Sequence, residues 1–385
     1  MQRRQFVSLA SRAAAAVGAP LLARSAHAQE AGLTTKAIAI GCSAATTGPL
    51  AAFGQDVGLG AGAALAQINS GGGIHGRELQ FKLLDDAYDP QRSVANVKQL
   101  LAQGSAFALM SCVGTPNNTA LLPLVEDAGV PYVGPVTGAS SLRKRSRNLF
   151  HVRASYTDEM RTLVQRLTGM GLKGIGIVYQ DNLFGQEMLA DATRELAASG
   201  MQPSVSVALA TNGSNLKDAV DKVAAARPSA VLLATAGSVS VGLVQGLKKS
   251  MPGLLMAGLS VTLTGEAFKQ LGEAGNGLAM SIVVPNPFRT TTAVVRDYQA
   301  AMRATAPDQV FSLGSLEAYI NMRVLAEGLE RAGREPSQAK LRSALASIRN
   351  WDLGGFVVDY SGQGAHVGSR FIGLGILNGA GRIAT

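Results

Sequence analysis

Apolar runs and amphipathic stretches take turns along most of this chain. Ala37 to Ile40 is a short apolar run that reads as a buried strand, and Val57 to Asn69 has the apolar spacing of a helix, stopped by Gly71-Gly72-Gly73. The alternation continues with strand Glu78 to Leu84, helix Pro90 to Gln103, strand Ala106 to Met110, helix Thr119 to Ala128 and the short strand Tyr132 to Gly134. Short apolar strands separated by helices predict a parallel sheet covered on both faces, a doubly wound α/β lobe.

The pattern then starts afresh. Strand Gly174 to Tyr179, helix Gln186 to Ser199, strand Pro203 to Leu209, helix Leu216 to Ala226, strand Ala230 to Ala234, helix Val239 to Ser250 and strand Leu254 to Ala257 come in order. A restart fits a second lobe of the same build better than an extension of the first sheet, and two lobes leave a cleft between them. After strand Ile282 to Val284, Pro285-Asn286-Pro287 reads as a crossing segment. Helices Thr292 to Thr305, Leu313 to Ala332 and Ser337 to Ile348 come next, then strands Gly355 to Val358 and Arg370 to Leu377. No repeat of 20 to 50 residues and no low-complexity tract interrupts this order.

The first 28 residues stand apart. Arg3 and Arg4 open a basic start, a largely apolar stretch runs from Phe6 to Leu22, and Ala26-His27-Ala28 has the small-x-small form that a signal peptidase cuts after. Arg3-Arg4-Gln5-Phe6-Val7 resembles a twin-arginine export signal. Arg12 and Arg24 spoil the segment as an anchor, which needs about 20 mostly apolar residues. The expectation is a cleaved signal peptide over residues 1–28 and a mature protein in the periplasm, beginning near Gln29.

The segment holds four arginines and no acid, so its removal lowers the formal charge from +9 to +5. The remainder is only mildly basic. Its densest run, Arg143-Lys144-Arg145-Ser146-Arg147, lacks the interleaved aromatics of nucleic-acid readers and reads as a solvated loop, so no nucleic-acid partner is expected. Cys42 and Cys112 are the only cysteines, and each ends an apolar run. They read as two separate buried thiols, although neighbouring strands in an oxidising compartment would allow a bridge. The four histidines lie far apart in no ligand spacing, so neither a metal nor another cofactor is expected.

Ligands of an open parallel sheet sit beyond the carboxyl ends of its strands. Three loops of the first lobe there are rich in glycine and small polar residues: Ala44 to Gly54, Val113 to Thr119 and Pro135 to Ser141. Thr115 and Asn118 fall just before a helix start read at Thr119, where they would cap it while free N–H groups and the helix dipole favour an anion, with a small carboxylate as the natural guest. An enzyme needs a histidine or a carboxylate pair near a nucleophile, and these loops offer mainly Ser, Thr, Asn and Gly. Asp85-Asp86 is the one tight carboxylate pair and reads as turn capping; Gly71 to Gly73 comes after a helix rather than opening one, so it is no phosphate cradle. The reading is binding without turnover.

With those loops in view, the chain resembles the extracytoplasmic solute-binding receptors of ABC importers, in the leucine/isoleucine/valine-binding protein family of type I periplasmic binding proteins. The resemblance rests on Thr47-Gly48-Pro49-Leu50-Ala51-Ala52-Phe53-Gly54, on Ile68-Asn69 with Gly72-Gly73-Ile74-His75-Gly76-Arg77, on Asp85-Asp86-Ala87-Tyr88-Asp89-Pro90, and on Gly134-Pro135 with Thr137-Gly138-Ala139. It implies two Rossmann-like lobes, residues 31–152 plus 285–365 and residues 153–284 plus 366–385, joined by three crossover segments. It further implies a guest whose carboxylate meets Thr115 and the backbone of Gly114, then Thr137 with Gly138. Phe53 would line the apolar end, with Tyr156, Phe184 and Ala236 or Gly237 closing from the second lobe. Ser260 stands where amino-acid receptors of the family place a glutamate for the ligand's ammonium, and Asp181 is the acid that would have to substitute. Tyr88 stands where relatives can carry a cysteine that bridges to the position of Cys112. The function implied by the resemblance is that of a receptor that closes on a small carboxylate, an aromatic or aliphatic acid or a branched-chain-type amino acid, and docks on a permease in the inner membrane. A ligand sensor feeding a signalling receptor and an exported enzyme are the rival readings.

Overall fold

The computed structural model describes residues 30–144 and 146–385, so the expected signal peptide and Arg145 lie outside the described residues. The first half runs β1 (Ala37–Ala44), α1 (Ala51–Ser70), β2 (Glu78–Asp85), α2 (Pro90–Ala102), β3 (Ala108–Met110), α3 (Thr115–Ala128), β4 (Tyr132–Val133) and β5 (Leu149–His151). The second runs α4 (Tyr156–Gly169), β6 (Ile175–Gln180), α5 (Leu183–Ala198), β7 (Ser206–Leu209), α6 (Leu216–Ala226), β8 (Ala230–Ala234), α7 (Ser238–Ser250), β9 (Leu255–Gly258), α8 (Glu266–Leu271) and β10 (Ala279–Ile282). Helices α9 (Ala293–Thr305), α10 (Leu313–Ala332) and α11 (Gln338–Ala346) come next. Strands β11 (Trp351–Asp352), β12 (Val357–Val358), β13 (His366–Val367), β14 (Gly373–Leu377) and β15 (Ile383–Ala384) close the chain.

Two separate sheets result. The first is parallel, in the order β13-β5-β4-β3-β1-β2; the second, β15-β14-β10-β9-β8-β6-β7, is parallel except that β14 runs against both β10 and β15. Strands such as β8, Ala-Val-Leu-Leu-Ala, are buried along their whole length because helices cover both faces. Strand order reverses between β1 and β3 in the first sheet and between β6 and β8 in the second. The loops leaving those four strands splay apart and make room for a guest.

Side-chain caps start five of the eleven α-helices among the described residues, α2, α4, α5, α10 and α11. Asp89 accepts from the N–H groups of Gln91 and Arg92 ahead of α2, with Pro90 in the first helical position. Asn182 caps α5 through the Gly185 N–H at 3.1 Å, and Ser312 caps α10 through Ser315 N–H at 3.0 Å. Helix α1 lies along α10 in the first lobe, close enough that a Cβ on Gly60 would run into the Ser315 carbonyl oxygen.

Several boundaries differ from the sequence reading. Helix α1 begins at Ala51 instead of Val57, because its first turn docks on β1's exit through Gly54 N–H to Ala45 O at 3.1 Å. The strand read at Ile282 to Val284 is Ala279–Ile282. The strand read at Gly355 to Val358 reduces to β12, which pairs only with β11 in a hairpin outside both sheets. His366 and Val367, assigned by the resemblance to the second lobe, pair with β5 in the first sheet, so the chain crosses back after them.

Candidate functional site

The loops at the two points of strand reversal face each other across a narrow gap. Leu50, Phe53, Tyr88, Gly114, Thr115 and Val136 form one wall, and Tyr156, Phe184, Ala236 and Val261 the other. The walls stand close together and leave little free space between them. Six of the residues expected from the sequence therefore meet here: Phe53, Gly114, Thr115, Tyr156, Phe184 and Ala236.

The polar end is built around the start of α3. This helix begins at Thr115, four residues earlier than expected, and no side chain caps it. Gly114 precedes it at φ +98°, and a Cβ there would strike the Tyr88 ring, so only glycine lets the ring and the helix start share this space. The Thr115 and Thr137 hydroxyls share a hydrogen bond of 2.8 Å, and Thr137 Oγ1 also accepts from Ala139 N–H at 3.2 Å. Thr137 thus sits behind Thr115 instead of on the cavity surface. Asn118 is not the cap expected of it: it lies inside α3, donates to the carbonyls of Cys112 at 2.9 Å and Gly114 at 2.8 Å, and accepts from Tyr132, bracing the loop from below.

Tyr88 reaches this wall through a strained turn. Ala87 and Tyr88 both adopt left-handed φ, +48° and +66°, which costs about 1–3 kcal/mol for each such residue. The paired carboxylates hold them there: Asp85 accepts from Ala87 N–H at 3.1 Å and Asp86 from Tyr88 N–H at 2.9 Å. Burial would raise the Asp85 carboxyl, but hydrogen bonds from the Thr47 hydroxyl and from the N–H groups of Thr46, Ala87 and Thr47 outweigh it and hold the group well below the usual carboxylate range. Asp86 is fully buried and accepts from the hydroxyls of Ser43 and Ser93. Both carboxylates are spent on turns, and neither faces the gap.

The opposite wall has an aromatic floor. Tyr156 and Phe184 meet edge to face at 5.3 Å, and the Arg153 guanidinium lies 5.0 Å from the Tyr156 ring centre. Gly138 does not line the gap; its carbonyl accepts from Tyr156 N–H at 2.9 Å, and a Cβ there would come within 2.6 Å of Tyr156. Ala236 N–H donates to Gln180 at 3.2 Å, so its amide is already engaged. Gly237, at φ +79°, brings the main chains of the two lobes together: Ser238 N–H donates to Pro49 O at 2.9 Å, and a Cβ on Gly237 would strike that oxygen.

Two expected residues lie elsewhere. Ser260 is buried outside the gap, where its hydroxyl accepts from Arg153 and its N–H donates to Glu159 at 2.9 Å. Asp181 is exposed, with its own N–H tied to Leu209 O at 2.8 Å. Arg153 joins Glu159 at 2.9 Å and Glu317 at 3.4 Å in a buried cluster where the lobes meet, and Ser281 completes it through Glu159 at 2.6 Å. Burial raises the Glu317 carboxyl despite the guanidinium beside it. No carboxylate lines the gap among the described residues. Tyr88, Leu50, Val113, Val136 and Val261 line the gap without having been named as site residues, although Leu50, Val113 and Val136 belong to the three loops singled out for a ligand and Tyr88 to the Asp85 to Pro90 string.

Cys42 and Cys112 are free thiols in contact within the first sheet; burial pushes Cys42 well above the ordinary range, and Cys112 Sγ accepts from Ser43 N–H at 3.4 Å. Arg143, read as solvated, turns inward and donates to the carbonyls of Gly138, Arg153 and Ala154 at 2.9–3.3 Å. Among the described residues, no group of three or more potential metal ligands is found, and no helix is long and apolar enough to cross a membrane.

Comparison with known proteins agrees with this fold. A family model described as periplasmic binding protein matches residues 37–372. The chain is 26% identical over 316 residues to the Leu/Ile/Val-binding protein homolog 3 of Brucella melitensis, covering 80% of this chain and 83% of that one. A substrate-binding periplasmic protein from Ralstonia solanacearum superposes with a TM-score of 0.85 at 29% identity, over 90% of this chain and 99% of the other. The solute binding protein of an R. palustris ABC transporter, solved in complex with benzoate, shares the fold at a TM-score of 0.82 and 18% identity, over 90% of this chain and 95% of that one.

Proposed function

The chain belongs to the periplasmic binding protein family, among the type I proteins of the Leu/Ile/Val-binding kind, and from that premise we propose that it is the receptor of an ABC importer for a small carboxylate with an apolar or aromatic body. The receptor works in the periplasm and delivers its guest to an inner-membrane permease. One observation carries the ligand class: the gap offers an uncapped helix start and the Thr115 hydroxyl at one end, aromatic and aliphatic side chains at the other, and no acid among its lining residues. A carboxylate is served by the first feature. An α-ammonium is not served, and burying it unpaired costs several kcal/mol. Of the two positions with a claim to that role, Ser260 accepts from Arg153 and Asp181 is exposed, and neither lines the gap.

In this reading the carboxylate meets Thr115 and the backbone at Gly114, with Thr137 supporting Thr115, while the body of the guest packs among Phe53, Tyr156, Phe184 and Ala236. A guest that touches both walls favours the closed form by its differential affinity for it. Isothermal titration of the mature protein with benzoate, 4-methyl-2-oxopentanoate and leucine tests the proposal. Binding of at least one of the two acids well ahead of leucine is the expected result; tight leucine binding with neither acid taken up overturns it.

A further inference from the structure

Helix α5 of the second lobe makes two contacts with its surroundings from one face. Phe184 enters the cavity wall, and Glu187, three residues on and therefore on the same side of the helix, reaches across to the first lobe. There the Glu187 carboxylate accepts from the N–H and hydroxyl of Ser140 and from the N–H and hydroxyl of Ser141, the last two at 3.1 and 2.9 Å. Ser140 and Ser141 open the short 3-10 turn Ser140–Leu142, which comes directly after the loop carrying Thr137 and Gly138. No other side chain makes hydrogen bonds to both serines among the described residues. Four donors converging on one carboxylate are far more than surface charge alone requires.

We infer that Glu187 is a closure clasp: a positioning residue that touches no guest and holds the lobes together by gripping the loop behind Thr115. This inference rests on the proposed opening and closing of the cleft. Every contact that exists only in the closed form adds to apparent affinity, because the open form lacks it. The clasp therefore sets how long a guest stays and leaves the choice of guest to the cavity. The contact is partly exposed, so water recovers part of its strength when it opens, and its effect is moderate.

The test uses the mature protein and two variants, Glu187→Ala, which removes the clasp, and Glu187→Gln, which keeps an acceptor for the N–H groups and a donor for the hydroxyls. Benzoate and 4-methyl-2-oxopentanoate are the guests, tracked by titration and by stopped-flow dissociation, and small-angle scattering tracks the unliganded proteins. For an acid that the parent protein binds, Glu187→Ala weakens affinity about tenfold, through faster release, with an unchanged order of preference among the acids and an unchanged melting temperature, and Glu187→Gln recovers most of the loss. Unchanged release and unchanged scattering in Glu187→Ala overturn the clasp. If neither acid binds the parent protein, the proposed ligand class fails, and scattering alone then decides the clasp: a larger radius of gyration in Glu187→Ala supports it, and equal curves refute it.

Discussion

The Thr115 hydroxyl shares a hydrogen bond with Thr137, and Thr115 lines the cavity. Thr115→Val keeps the branched shape and removes the hydroxyl, so the proposed carboxylate loses one charge-assisted hydrogen bond of about 1.5–3 kcal/mol. Affinity for whichever acid binds should fall by about ten- to a hundredfold in titration, with the fold intact by circular dichroism; equal affinity would remove Thr115 from the site. Residues at this scale are legible where the loop itself carries the signal, as with Thr115, whereas Gly114 and Phe53 come from the family resemblance. Ser260 is not legible, because its partner Arg153 lies more than a hundred positions away in sequence and nothing local announces that a guanidinium will bind its hydroxyl. Tyr88 stands out in the sequence only as the place of an absent cysteine, whereas its ring is what makes Gly114 obligatory.

Among elements, α1 and α10 pack closely through Gly60, flanked by buried Ala61, Ala63 and Ala64. Gly60→Ala puts a methyl where the Ser315 carbonyl stands, and separating the helices should cost about 1–3 kcal/mol in urea or thermal unfolding while acid affinity measured on the folded protein changes little. Helices α6 and α10 and strand β8 match the sequence reading residue for residue, since each is a clean apolar pattern between turn signals. The short strands β5 and β13 are invisible to such a reading because two or three residues give no period. Helix α4 does carry a local start signal: Ser155 accepts from Asp158 N–H at 3.1 Å, with Asp158 and Glu159 in the first turn. The start of α3 is hidden because Pro116 and two asparagines look like loop, although proline suits the first turn of a helix.

For the molecule as a whole, two lobes are readable from the restart of the alternation, while the way they touch is not. Asp56 of α1 is one such contact: it is buried, and it accepts from Thr264 in the segment after β9. Burial raises its carboxyl to about 6 against the lowering influence of the Thr264 and Ser312 hydroxyls. Because the folded value lies above the unfolded one, the folded form binds the extra proton. Stability from this group is therefore complete below the ordinary value of 3.8 and is lost as pH rises through about 6. Asp56→Asn keeps an acceptor for Thr264 and never ionises. It should melt higher than the parent at pH 7.5, by an amount on the order of 2 kcal/mol, with the gap narrowing toward pH 4. A gap that stays constant with pH would show that Asp56 is not the group responsible.

The meeting of Gly237 with Pro49 has a consequence of its own. Main chain rests on main chain there, and in the proposed closing motion that contact would be the stop at which the lobes halt. The backbone would then dictate the width of the shut chamber, and the expected outcome is sorting of solutes by girth, checked by titration with acids of graded thickness.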